Sequence, residues 1–310
     1  MKKYFILAAA ALTLAACSNE ESDNRVDNNV IRLTANMGET TLTRAGTTIQ
    51  STAFEENELV NIEVTPSGGS MSAKVYKAGA PSGTVNGLNV NTGDAFTWPA
   101  SGTVGIKAFY PSSVGSSTAS FTVSTDQSAT GSATGATDAE KGYKGSDLMY
   151  ATEISDQAKQ SDAVGLTFNH ALTKIIVNLT EGSGMSSTDI AACQVQLKAM
   201  RTATIASGVA AKATFDAGTA ATITMGTGTT LAAIIVPQEI PASTNFITIT
   251  TSGSHSVSYP LPAAKNFDAG KVYTYNLTVS MSGITLQSTT IQNWDGAGDD
   301  KTINGGTLTI

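Results

Sequence analysis

Few residues in this 310-residue chain have the type and spacing that chemistry needs. There are two His and two Cys. His170 lies in Phe168-Asn169-His170-Ala171, at the junction of two apolar runs, and reads as a structural, hydrogen-bonded imidazole. His255 follows Ser254, but neither a Gly-x-Ser-x-Gly elbow nor a strand-to-helix context accompanies the pair. Asp295, Asp299 and Asp300 offer oxygen ligands for a hard cation, at a spacing that departs from the EF-hand loop and equally suits a Gly-Asp turn. Gly226 and Gly228 lack the third glycine and the βαβ setting of a dinucleotide loop. Trp98 and Trp294, with Tyr259, Tyr273 and Tyr275, offer ring faces for a sugar and equally suit a β-core. Cys193 alternates with Val195 and Leu197, which marks a buried strand residue rather than a reactive thiol. Catalytic, metal and cofactor residues are therefore assigned as none, and the chain reads as a non-enzyme.

Cys17 has the clearest chemical setting. Lys2 and Lys3 precede an apolar run from Tyr4 to Ala16, shorter than the roughly 20 residues that span a bilayer. The run is a secretion signal. It ends in Leu14-Ala15-Ala16-Cys17, which resembles the bacterial lipobox, where the Cys thiol is acylated and becomes the new N-terminus. A plain secretory signal with an incidental Cys17 is the other reading. Ser18-Asn19-Glu20-Glu21 then resembles a surface-export signal of Bacteroidetes-type lipoproteins, and also suits a solvated tether.

The elements around these residues are strands. The chain holds 45 Thr and 29 Gly, is 41% hydrophobic but only 6% aromatic, and shows no convincing helical stripe. Thr favours strands, and Gly marks their turns. The net charge of −7, with 18 basic against 25 acidic residues, argues against nucleic acid as a partner. Period-two alternation begins with Ile31, Leu33, Ala35 and Met37 and recurs to Thr307–Ile310. Asn86-Gly87 has the composition of a hairpin turn. The low-complexity stretch from Ser124 to Gly145 reads as an exposed, mobile loop, and Asp189 to Ala192 is the best helical candidate. The expected class is all-β, with two sandwich-sized units divided at the polar stretch Ser155 to Ala163.

Four stretches in order resemble the fimbrillin family, the lipoprotein pilins of Bacteroidales type V pili. They are the lipobox followed by Thr41-Leu42-Thr43-Arg44-Ala45-Gly46; Ser146 to Ala151 followed by Val164 to Ile175; Phe267 to Leu277; and Ile291-Gln292-Asn293-Trp294. The resemblance implies two Greek-key, transthyretin-like β-sandwich domains in tandem. The expected organisation is a signal peptide at 1–16, a lipidated tether and removable first strand at 17–44, sandwiches at 45–160 and 161–283, and a C-terminal donor-strand appendage at 284–310.

The resemblance also implies a mechanism. The precursor is an outer-membrane lipoprotein anchored through Cys17. An Arg-specific surface protease cuts between Arg44 and Ala45 and removes the strand bearing Ile31, Leu33, Ala35 and Met37. The C-terminal segment of a neighbouring subunit, with Ile284, Leu286, Leu308 and Ile310 as its apolar residues, fills the groove. The partners are then further copies of the chain and other pilus subunits, at the cell surface. Two alternatives stay open. Ile284 to Ile310 also reads as ordinary final strands, and Arg44 as an ordinary surface residue. The chain also reads as a surface-anchored lipoprotein or pilus-tip adhesin that binds a glycan or host protein.

Overall fold

The computed structural model describes residues 29–37, 53–135, 137–294 and 301–304. The signal peptide, Cys17, Arg44, Ala45, Asp295, Asp299, Asp300, Leu308 and Ile310 lie outside the described residues, as does the strand expected at Thr307–Ile310.

Among the described residues, nine strands come first: β1 (Leu33–Met37), β2 (Leu59–Pro66), β3 (Ser72–Ser82), β4 (Val85–Val90), β5 (Thr103–Tyr110), β6 (Ser120–Thr122), β7 (Met149–Ala151), β8 (Ile154–Ala158) and β9 (Val164–His170). Seven of them run side by side as β2-β3-β4-β1-β9-β7-β5, and β5 pairs back with β2 from Asn61↔Phe109 to Pro66↔Val104. The first unit is therefore a closed seven-strand barrel rather than the expected open sandwich. Closure pairs both edges of every stave, which removes the exposed edges an open sheet would carry. β8 is added outside the ring, on the stretch of β5 that β7 leaves free. Alternate residues fill the interior: Val60, Ile62 and Val64 from β2, Val104, Ile106 and Ala108 from β5, and Val164, Leu166 and Phe168 from β9.

Two expectations change here. The expected division at residue 160/161 places β9 in the second unit, but β9 pairs in parallel with β1 and antiparallel with β7. Its inward residues are apolar, so burial decides its place, and a polar stretch before it does not mark the passage between cores. Asn86-Gly87 is not a turn. Both residues lie inside β4, and the β3–β4 hairpin turns at Gly83-Thr84, with Ser82 opposite Val85 and Gly83 at φ +64°. A glycine with positive φ at the first central position suits a II′ turn.

The second unit comprises β10 (Thr173–Glu181), β11 (Gln194–Ala199), β12 (Thr202–Ala206), β13 (Val209–Ala210), β14 (Ala213–Thr214), β15 (Ala221–Thr227), β16 (Thr230–Ile235), β17 (Gln238–Ile240), β18 (Asn245–Thr250), β19 (Ser256–Pro260), β20 (Lys265–Phe267), β21 (Lys271–Ser280), β22 (Gly283–Asn293) and β23 (Lys301–Asn304). One sheet runs β16-β10-β21-β22-β23 and another β15-β11-β18-β19. Both feed one core, with Ile175 and Val177 from β10, Tyr275 and Leu277 from β21, Val195 and Leu197 from β11, and Ile247 and Ile249 from β18. Between β10 and β11, a short helix (Ser187–Ala191) starts at a capping box made by Ser186 and Asp189.

The stretch expected as a loop from Ser124 to Gly145 is partly built into this core. Gln127 exchanges two hydrogen bonds with the backbone of Ile234, at 2.8 Å each, and Tyr143 is buried.

Candidate functional site

β1 is the stave that precedes the segment carrying Arg44. Ile31, Leu33, Ala35 and Met37 are all buried, at 1–5% exposure, on one face, as their alternation requires. On one side β1 pairs antiparallel with β4, from Leu33↔Leu88 to Asn36↔Val85. On the other it pairs in parallel with β9, from Leu33↔Val164 to Met37↔Phe168. Before β1, the Ile31 N–H donates to the Phe96 carbonyl at 2.8 Å, and the Trp98 N–H donates to the Asn29 carbonyl at 2.7 Å.

The chain is described again from Ala53, and it is anchored at once. Phe54 is 1% exposed inside the barrel, edge-on to Phe168 at 4.9 Å and beside Tyr110 at 5.4 Å. The fully buried Asn86 amide holds its backbone. Asn86 Oδ1 accepts from the Phe54 N–H at 2.9 Å, while Nδ2 donates to the carbonyls of Phe54 at 3.0 Å and Gly79 at 2.8 Å. Asn86 stands opposite Ala35 of β1, yet none of these three bonds involves β1. Replacing Asn86 by Ala strands the buried N–H and carbonyl of Phe54 and the half-buried carbonyl of Gly79, and should lower stability by about 3–5 kcal/mol, read as a fall in the urea midpoint.

Two acidic residues extend the anchor. Lys144 is buried and lies 2.7 Å from both Glu55 Oε2 and Glu58 Oε1, and the Tyr110 hydroxyl donates to Glu58 Oε2 at 2.9 Å. Burial alone would pull the Lys144 pKa down, but hydrogen bonds and charge from Glu55 and Glu58 together leave it above the ordinary lysine value. Segment 38–53, which contains Arg44, is thus bounded by buried Met37 and buried Phe54.

At the other end of the chain, β22 belongs to its own subunit. Ile284 pairs with Val279 and Leu286 with Leu277 of β21, and both side chains are buried in the second core. The expected donor residues Ile284 and Leu286 are therefore resident within the single chain, and the same alternation serves a donor strand and a resident one. The far edge of β22 pairs with β23 from Ser288↔Asn304 to Ile291↔Lys301.

Trp294, at the end of β22, stacks on His170 of the barrel with ring centroids 3.9 Å apart and planes 5° from parallel. His170 Nδ1 lies 2.9 Å from Asp147 Oδ1, in line with its structural reading. Lys174 Nζ stands 5.4 Å from the Trp294 ring centre, and the Trp294 N–H donates to Gly270 O at 2.7 Å. The chain therefore passes Trp294 pinned against both units.

The remaining candidates are structural. Trp98 is buried in the barrel, while Tyr259, Tyr273 and Tyr275 are buried in the second core, so these rings form no exposed sugar platform. Burial pushes the Tyr273 phenol up to about 12. Cys193 is buried, its Sγ donates to Asp189 O at 3.3 Å, and burial, helped by the Asp189 charge, pushes its thiol pKa up, which suits an inert side chain. His255 is exposed in the turn between β18 and β19. Among the described residues no three His, Cys, Asp or Glu side chains are grouped to hold a metal.

Residues 43–294 match the model of the fimbrillin-like family. The chain belongs to this family. β1 lies before the matched span. A curated relative of this fimbrillin-like chain, the Bacteroides uniformis protein named as fimbrium subunit Fim1C, is 24% identical over 178 residues, or 52% of this chain. The match spans 55% of that relative's length, so this fimbrillin-like chain covers about half of it. Among solved structures, a Bacteroides uniformis protein titled as a cell adhesion protein superposes with a TM-score of 0.62 at 21% identity, covering 87% of this chain and 99% of that one. A Bacteroides ovatus protein with the same title gives a TM-score of 0.60 at 18% identity, covering 86% and 97%. At these identities the likeness is one of fold.

The sequence marks Asn86 as half of a turn dipeptide and not as an anchor, and it gives Lys144 no signal. Phe54 carries one, as a lone aromatic in the polar run Ser51-Thr52-Ala53-Phe54-Glu55-Glu56.

Proposed function

We propose that this fimbrillin-like chain is a shaft subunit of a surface fimbrium, a structural and non-catalytic role. It reaches the outer membrane as a lipoprotein acylated at Cys17. An Arg-specific protease cuts after Arg44, leaving Ala45 as the new N-terminus. β1 then leaves, and the C-terminal segment of a neighbouring subunit takes its place. The second unit, with two sheets over one core, corresponds to the Greek-key, transthyretin-like sandwich of the family. The partners are further copies of the chain, other fimbrial subunits and the protease.

The observation that carries this reading is the position of β1. It is paired on both flanks, it buries Leu33, Ala35 and Met37 with Ile31 just before it, and it precedes segment 38–53. One cut in that segment frees β1 and severs no other stave. The anchor at Phe54 to Glu58 stays with the barrel, and the vacated slot offers two unpaired strand edges to a donor. Among the described residues, Arg32 and Arg201 suit a protease less well: the Arg32 carbonyl accepts from the Val164 N–H and the Arg201 carbonyl from the Val123 N–H, so both are held in backbone pairing.

The donor lies in the residues after Trp294 and includes Leu308 and Ile310. Ile284 and Leu286 stay in their own subunit. N-terminal sequencing of surface-sheared material should read Ala45-Gly46-Thr47. The variant Arg44→Ala should keep its lipidated N-terminus and give no SDS-resistant ladder; ladders of normal length from that variant would refute processing at Arg44.

A further inference from the structure

A groove of about 500 Å³ runs along the outside of the barrel, over β2, β5 and β8. It is remote from the β1 slot: β4 and β3 stand between β1 and β2, and β9 and β7 between β1 and β5. Gly105 of β5 occupies an outward position in its floor and leaves space where a side chain would stand. Three carboxylates line it, Glu63, Glu153 and Asp156, against one ammonium, Lys107.

Glu63 is the unusual member. Although it sits on the outer face of β2, it is 4% exposed. The strap Val114–Ser116 covers it. Ser116 N–H donates to Glu63 Oε1 at 2.9 Å, and Asn61 Nδ2 donates to the Val114 carbonyl at 2.8 Å. A Cβ at Gly115 would lie 2.6 Å from Glu63 Oε1, so a side chain there would push the carboxylate from its place. The second oxygen, Oε2, is buried and has no hydrogen-bond partner. Lys107, directly opposite Glu63 in the β2–β5 register, turns instead to Glu153 at 3.5 Å. A buried carboxylate oxygen without a donor is costly, and it marks where a donor from outside would be most strongly held.

We propose that this groove binds a basic side chain, a lysine ammonium or arginine guanidinium, presented by a partner protein. The charge balance calls for a cation. The carboxylates are spread along the groove and not gathered at one point, which suits an extended organic cation better than a metal ion. Met71, which is 47% exposed, and Pro66 offer apolar surface for an alkyl stem. No aromatic ring lines the groove to stack against a sugar face.

The test is calorimetric titration of the full chain with N-acetyl-lysine amide, N-acetyl-arginine amide, N-acetyl-norleucine amide and glucosamine. Binding of the lysine or arginine probe, with norleucine and glucosamine silent, is the expected result. Glu63→Gln keeps an acceptor for the Ser116 N–H and should weaken that binding by at least about tenfold. Asp156→Asn, at a more exposed rim position, should weaken it by a smaller factor, and it serves should Glu63→Gln fail to fold. The proposal is overturned if neither the lysine nor the arginine probe binds, if norleucine or the sugar amine glucosamine binds as well as they do, or if the folded carboxylate variants bind unchanged.

Discussion

A chain that starts at Ala45 and is given no donor strand will lose most of its barrel stability. Ile31, Leu33 and Met37 are each worth roughly 1.5–3 kcal/mol when buried, so removing β1 forfeits roughly 5–9 kcal/mol of apolar burial. Whole domains are stable by only about 5–15 kcal/mol. The loss also opens the ring, because β4 and β9 are then left with unpaired edges. The second core contains no residue of β1, so the damage should be confined.

The two tryptophans make this measurable, since Trp98 lies in the barrel core, while Trp294 is buried in the second core, with His170 of the barrel stacked on its ring. In single-tryptophan variants, made with Trp98→Phe or Trp294→Phe, the Trp98 transition should fall sharply or vanish and the Trp294 transition should stay. A synthetic peptide covering residues 29–37, added in trans, should restore the Trp98 transition. An unchanged Trp98 melting curve would remove the physical basis for strand exchange in this chain.

Deleting Leu308–Ile310 will abolish polymerisation and leave a folded monomer. The truncated monomer keeps every residue of both described cores, from Ile31 to Trp294, so it should melt at the temperature of the parent chain. The contrast is with Leu286→Ala, which empties a site in the chain's own core and should destabilise the monomer by about 2–5 kcal/mol. The pair of variants separates donor from resident residues. The measurements are electron microscopy and SDS-resistant ladders for the polymer, with thermal melting for the monomer. Normal fibres from the Leu308–Ile310 deletion would place the donor elsewhere.

The legible parts of this fold are those written in local periodicity. The alternation of Ile31, Leu33, Ala35 and Met37 names a half-buried strand, and the structure buries that face. The ring closure is different. β2 and β5 pair residues 38 to 48 positions apart, from Pro66↔Val104 to Asn61↔Phe109, and nothing in either strand announces its partner. Asn86-Gly87 misleads for a related reason: its turn preference is local, but the Asn86 amide is taken up by Phe54, 32 residues away. Ile284 and Leu286 show the limit of patterning most clearly. A strand that stays and a strand that is given away need the same alternation, and only the pairing with β21 separates them. The buried carboxylate of Glu63 is equally invisible, because an outward position on an alternating strand predicts exposure, and the strap that covers it comes from residues 114–116.

The double flanking of β1 has a mechanical consequence. Ladder hydrogen bonds lie across the strand direction. A strand held on one edge can be peeled off, breaking one bond after another. A donor seated between β4 and β9 and pulled along its own axis loads both ladders in shear, so their bonds must yield together. In a fibre assembled this way, tension between subunits is carried by the most resistant geometry a sheet offers, with no covalent link across the joint.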